Sequence, residues 1–187
     1  ESTILAIENT ENELRDEVLK ITDDYNRTYA KLVKSEKKLE ELCALAFNFA
    51  RDNDVASLET LLQYGLNVDL ANHKGNTLLM LAAYNNSLDV AELLLKNGAL
   101  VDKKNDKAQT PLAGVVFKGY IDMAKLLLKY GANPNEDNGM GLTPINCAIM
   151  FRRKEILDLL LKHTNKKLSF LQKISFFVMY KCIKPKS

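Results

Sequence analysis

Residues 110–132 read TPLAGVVFKGYIDMAKLLLKYGA, and this wording returns at a fixed distance on either side. TLLMLAAYNNSLDVAELLLKNGA begins at Thr77 and TPINCAIMFRRKEILDLLLKHTN at Thr143, so the three threonines stand 33 residues apart. A repeat of this length means stacked supersecondary units, none of which buries its apolar face alone. Each part of the wording has a physical use. A threonine, followed by proline in two copies, caps a short helix and presets its first φ angle. Small residues such as Ala82 and Ala83 let neighbouring units approach closely. Leucine triplets at 93–95, 126–128 and 159–161, with Val90 and Met123, give a second helix an apolar face. Gly98 and Gly131 supply the left-handed turn that ends it.

Counting back 33 from Thr77 reaches Ala44, and ALAFNFARDNDVASLETLLQYG follows with Leu61, Leu62 and Gly65 in register as a degenerate first copy. In the last copy Thr164 replaces the closing glycine, and the pattern fades into NKKLSFLQKISFFVMYKCI. The threonine starts, leucine triplets and Gly-Ala closures resemble the ankyrin repeat. That resemblance implies an all-α solenoid of about four repeats (41–72, 73–105, 106–138 and 139–165), with short β-hairpin fingers at residues 72–75, 105–108 and 138–141. A helical extension is expected over 1–40, and a C-terminal cap with a basic tail over 166–187. Arrays need atypical ends, so Leu171, Ile174, Phe177 and Val178 are expected to pack inward. A partner-binding helix is the competing reading, because Phe170, Phe176 and Tyr180 leave apolar surface to cover.

Upstream, Leu14, Val18, Ile21, Tyr25, Thr28, Leu32, Ser35, Leu39 and Leu42 recur at alternating steps of four and three, one stripe along a helix. A long helix over about Glu11 to Lys37 follows, with breaks expected near Asp23-Asp24 or Ser35. Packing of the stripe on the first repeat is the favoured use, and a homodimer through the same stripe is the other.

A net charge of +2 gives no general attraction to nucleic acid. Charge is uneven along the chain, with eight acids and two bases in residues 1–24, and seven lysines and no acid from Lys162 onward. The three cysteines, Cys43, Cys147 and Cys182, form no C-x-x-C pair and suit a reducing cytoplasm. No stretch approaches the roughly 20 apolar residues of a spanning helix, and no basic-then-apolar leader opens the sequence.

Nothing reads as an enzyme. His73 and His163 lack ligand-spaced companions, so no metal site is expected; His163 is expected to complement a helix dipole. Phosphate loops and nucleophile elbows are missing from the sequence.

The ankyrin resemblance implies that the seventh and eighth residues after each threonine end the first helix on the concave side. These are Tyr84-Asn85, Phe117-Lys118 and Met150-Phe151, with Arg51-Asp52 at the same place in the degenerate first copy, so Tyr84, Phe117 and Met150 form a column that the fold does not require to be apolar. Met140 and Leu142 on the third finger add to it, and His73, Lys107, Lys118, Arg152 and Arg153 rim it. Aromatic and methionine side chains are common interface anchors. The expected function is therefore non-enzymatic binding of a protein partner in the concave groove, unless the terminal segments cover it. The wording of residues 42–162 also resembles a group of small bacterial ankyrin proteins linked to catalase and thought to handle haem. This implies an alternative role as a catalase accessory, with Tyr84 as a haem ligand.

Overall fold

The computed structural model describes residues 2–139, 142–164, 169, 171–174 and 177. Met140 of the expected site, Val178 of the expected cap and Cys182 lie outside them. The chain divides into two compact units, residues 1–44 and 45–187.

Helix α1 spans Ser2–Asp52. Residues 1–64 contain neither proline nor glycine, so nothing removes a hydrogen-bond donor or favours a turn before that end. The expected breaks near Asp24 and Ser35 do not occur. Thr28 and Ser35 instead donate their hydroxyls to the carbonyls of Asp24 and Leu32, each at 2.8 Å, and the helix continues through them. The stripe, expected to be buried, has Leu14, Val18, Ile21, Tyr25, Leu32, Leu39 and Leu42 all exposed.

From Leu45 onward the chain builds an array of paired helices. The last residues of α1 supply the first helix of the first repeat, with Ala46 and Ala50 fully buried. Then follow α2 (Val55–Gln63), α3 (Leu78–Asn85), α4 (Leu88–Lys96), α5 (Pro111–Lys118), α6 (Ile121–Lys129), α7 (Pro144–Met150) and α8 (Lys154–Lys162). One row runs α3, α5, α7 and a second runs α2, α4, α6, α8, with α3 packed on α4, α5 on α6 and α7 on α8. The core lies between the rows. Leu94, Leu127 and Leu160, the middle members of the triplets, are fully buried, as are Val90 and Met123. None of the described helices is long and apolar enough to cross a membrane.

Caps act as the spacing predicts. Thr77, Thr110 and Thr143 accept hydrogen bonds from the backbone N–H of Met80, Ala113 and Asn146. Gly65, Gly98 and Gly131 adopt φ of 91°, 85° and 89° after α2, α4 and α6. A second left-handed series, which the sequence reading overlooked, lies between the helices of each pair: Asn53, Asn86, Gly119 and Arg152, again 33 apart, with φ from 55° to 85°.

The fingers close as short hairpin turns without extended strands. Among the described residues they hold no strand, and a single bridge joins Ala71 to Thr77. Backbone pairing closes the first two fingers, from Asn72 N–H to the Asn76 carbonyl and from Asn105 N–H to the Gln109 carbonyl, and asparagine side chains add to it. Asn72 Oδ1 accepts from the N–H of Lys74 and Asn76, and Asn105 Oδ1 from those of Lys107 and Gln109. Asn105 Nδ2 also donates to Asn76 Oδ1 at 2.8 Å, and Asn138 Oδ1 accepts from Thr110 N–H at 2.7 Å, tying each finger to its predecessor.

The expected inward-facing cap is not formed by the described residues: Leu171, Ile174 and Phe177 are exposed. The segment starts with a reciprocal cap, Ser169 N–H to Gln172 Oε1 and Gln172 N–H to Ser169 Oγ. It reaches α7 through a polar contact, Gln172 Nε2 to Asn146 Oδ1 at 2.6 Å.

Candidate functional site

Tyr84, Phe117 and Met150 occupy the last turns of α3, α5 and α7, yet they do not share one environment. Tyr84 is half-buried, contrary to the expectation of a solvent-facing contact, and the reason is Gly114 on α5. A Cβ on Gly114 would lie 2.5 Å from Tyr84 Cε2 and 2.7 Å from its Cζ. The ring therefore rests on glycine backbone, in space that a side chain on residue 114 would fill. Burial pushes the Tyr84 phenol above its ordinary pKa. In the next repeat the position equivalent to Gly114 is Cys147, which keeps a side chain, and Phe117 stays outside at 50% exposure.

Phe117 meets Phe151 edge to face, with ring centroids 4.8 Å apart and planes at 86°. Met150 beside them in sequence is 55% exposed, and Leu142 is also exposed. Arg153 fixes the backbone beneath Phe117, donating from Nη2 to the Phe117 carbonyl at 3.0 Å. Its guanidinium lies over Gly119, where a Cβ would come within 2.9 Å of Cζ. This charged group on the last carbonyls of α5 is a favourable helix C-terminal partner. Ser87 makes the corresponding contact two repeats earlier, donating to the Arg51 carbonyl at 2.8 Å.

A pocket of about 450 Å³ lies between the first two fingers and α3, lined by Lys74, Asn76, Leu81, Tyr84, Asn105, Asp106, Lys107 and Gln109. The structure thus brings Tyr84 together with Lys107, and Phe117 with Phe151. Asn76 and Gln109 escaped the sequence reading, although they stand 33 apart in register with Leu142, because only the apolar member of that series was singled out.

Other expected residues lie apart. Asn85 turns its amide back to the Leu81 carbonyl at 2.8 Å, so its donor serves its own helix. His73 and Lys118 are exposed. Arg152 sits at the α7–α8 turn, lining a separate pocket of about 270 Å³ with Gly119, Ile121 and Lys154. Its φ of 55° is left-handed, a conformation that costs an arginine about 1–2 kcal/mol.

His163 ends α8 with Nδ1 2.9 Å from the Leu159 carbonyl, in the helix-capping place expected for it. Cys147 is buried, and burial raises its thiol pKa, away from the thiolate a nucleophile needs. Among the described residues no three His, Cys, Asp or Glu side chains group to hold a metal.

Comparison with known proteins agrees with this geometry. Residues 5–105 and 98–169 match the family described as ankyrin repeats in three copies. A Pseudomonas aeruginosa protein named for its ankyrin repeats, PA3287, is 43% identical over 54 residues, which is 29% of this chain and 32% of that relative. The match therefore spans about a third of the relative's length. With paired helices stacked at a period of 33 residues, capped threonines and hydrogen-bonded fingers, the chain belongs to the ankyrin-repeat family.

Proposed function

We propose that the array recognises a protein partner across the fingers and the ends of α3, α5 and α7. Ankyrin repeats are protein-interaction modules, and the exposed edge-to-face pair of Phe117 and Phe151 is the observation that carries the reading here. Two aromatic rings and the Met150 thioether remain in water on helices whose other faces are already packed, so burial against a second molecule stabilises them without disturbing the core. The neighbouring pocket, with Tyr84 at its apolar end and Lys74 and Lys107 at its rim, suits a segment that pairs an apolar anchor with a carboxylate.

The test is capture of a partner by the full chain and by a Phe117→Asp, Met150→Asp variant. Loss of capture at an unchanged melting temperature is expected, because both side chains are exposed. Retained capture rejects the surface, and an unfolded variant shows that these residues belong to the core. Catalase is the partner that the sequence resemblance offers, and binding of purified catalase with the same sensitivity to the Phe117 change would support that narrower role.

A haem carrier using Tyr84 as ligand is the second reading, and it has less support. The Tyr84 pocket presents mostly apolar surface, but Lys74, Asp106 and Lys107 bring charge to its lining and only Leu81 and Tyr84 are apolar or aromatic residues. Burial raises the Tyr84 phenol pKa, so the phenol is neutral at ordinary pH and iron binding there would have to displace its proton. Haem titration is expected to leave the Soret band unshifted; a shift that Tyr84→Phe abolishes would restore the carrier reading.

A further inference from the structure

We infer that residues 14–39 of α1 pair with the same residues of a second copy of this chain as an antiparallel coiled coil. The stripe runs for four heptads, long enough to specify such a pairing, and its apolar members are exposed throughout. Its two polar members raise no obstacle. Thr28 and Ser35 already spend their hydroxyl donors on their own helix, so burying them strands no unpaired donor.

Charge decides the direction. Residues 13–24 hold five acids and two bases, whereas residues 27–38 hold five bases and one acid. Antiparallel pairing lays each acidic half on a basic half; parallel pairing lays like on like. The heptad register agrees in detail. With Tyr25 at an a position and Thr28 at a d position, antiparallel packing sets Tyr25 against the second copy's Thr28, a large side chain against a small one. The flanking positions then pair Glu17 with Lys38, Asp24 with Lys31 and Arg15 with Glu36, each twice by symmetry and each of opposite sign. A parallel dimer in the same register gains only Lys31 with Glu36, and it opposes the two Tyr25 rings. Within one chain Asp24 is 4.0 Å from Arg27, both exposed, so it is free to exchange partners. This inference is independent of the groove, since it uses none of its residues.

Sedimentation equilibrium of the full chain in low salt tests it. Twice the monomer mass of 21.1 kDa is expected in the micromolar range. Glu17→Lys with Asp24→Lys turns all four acid-to-lysine pairs repulsive and should weaken association about a hundredfold. Adding Lys31→Glu and Lys38→Glu to that chain should restore it. Circular dichroism checks that the helix and the array persist in each variant. A monomer throughout the range overturns the inference. A dimer indifferent to the double reversal, as a parallel coil would be with Glu17 and Asp24 facing Thr22 and Tyr29, overturns it too. Reversal without rescue rejects the register.

Discussion

Gly114→Ala offers the sharpest test of how the array positions its surface. In an ordinary helix interior the change stabilises by about 1 kcal/mol, because alanine loses less backbone freedom on folding. Here the new methyl would stand 2.5 Å from Tyr84 Cε2 and 3.1 Å from its hydroxyl oxygen, well inside van der Waals contact. The ring must swing out of its seat, and such overpacking costs about 1–3 kcal/mol. A net loss of about 1 kcal/mol is therefore expected for Gly114→Ala alone. In a Tyr84→Ala background the obstruction is gone, and the same change should gain about 1 kcal/mol, giving a coupling of about 2 kcal/mol. Urea denaturation of the four proteins measures the cycle. The chain has seven tyrosines and no tryptophan, so near-ultraviolet circular dichroism reports tyrosine packing directly. Equal stabilisation in both backgrounds would refute the reasoning, because it would show that Tyr84 does not rest on residue 114.

Further perturbations probe the fingers and the electrostatics. Ala108 holds a φ of 58° at the turn position that Gly75 fills in the previous finger, and Ala108→Gly should stabilise by about 0.5–1 kcal/mol, read by urea denaturation. Asn105→Ala removes four hydrogen bonds, to Lys107, Gln109 twice and Asn76, and should cost about 2 kcal/mol and speed amide exchange in both fingers. Burial raises the Asp102 carboxyl pKa, opposing the hydrogen bond from Asn133 N–H. A carboxyl whose folded pKa is raised binds its proton more tightly when folded, so its stabilising contribution is present at acid pH and is lost as pH rises through that value. Asp102→Asn should therefore gain stability relative to the parent as pH rises from below the ordinary carboxyl pKa of 3.8 through the raised value; a gap that stays flat or narrows would refute the assignment.

Much of this architecture was legible in the sequence because the repeat makes one local solution recur. Thr77, Thr110 and Thr143 cap helices for the same chemical reason in each copy, and Leu94, Leu127 and Leu160 are buried because the same face of the second helix meets the same neighbour. The helix α1 was legible only in part, since the lack of proline and glycine pointed to a long helix, but its full span and its continuity past Asp24 and Ser35 were not expected. The exposed terminal residues were less predictable. An apolar stripe states that a face wants cover, but not what supplies that cover, and Leu14 and Leu171 are both exposed.

The site depended on contacts between repeats, which no single copy encodes. The ankyrin resemblance implied one column for Tyr84, Phe117 and Met150, yet the first is seated and the second exposed. What separates them is the residue one repeat onward, Gly114 facing Tyr84 where the equivalent position beyond Phe117 holds Cys147. Backbone order is local and was written into the sequence as caps, turns and spacing. Side-chain exposure is a property of the neighbour 30 residues away, and only tertiary packing brings that neighbour within reach.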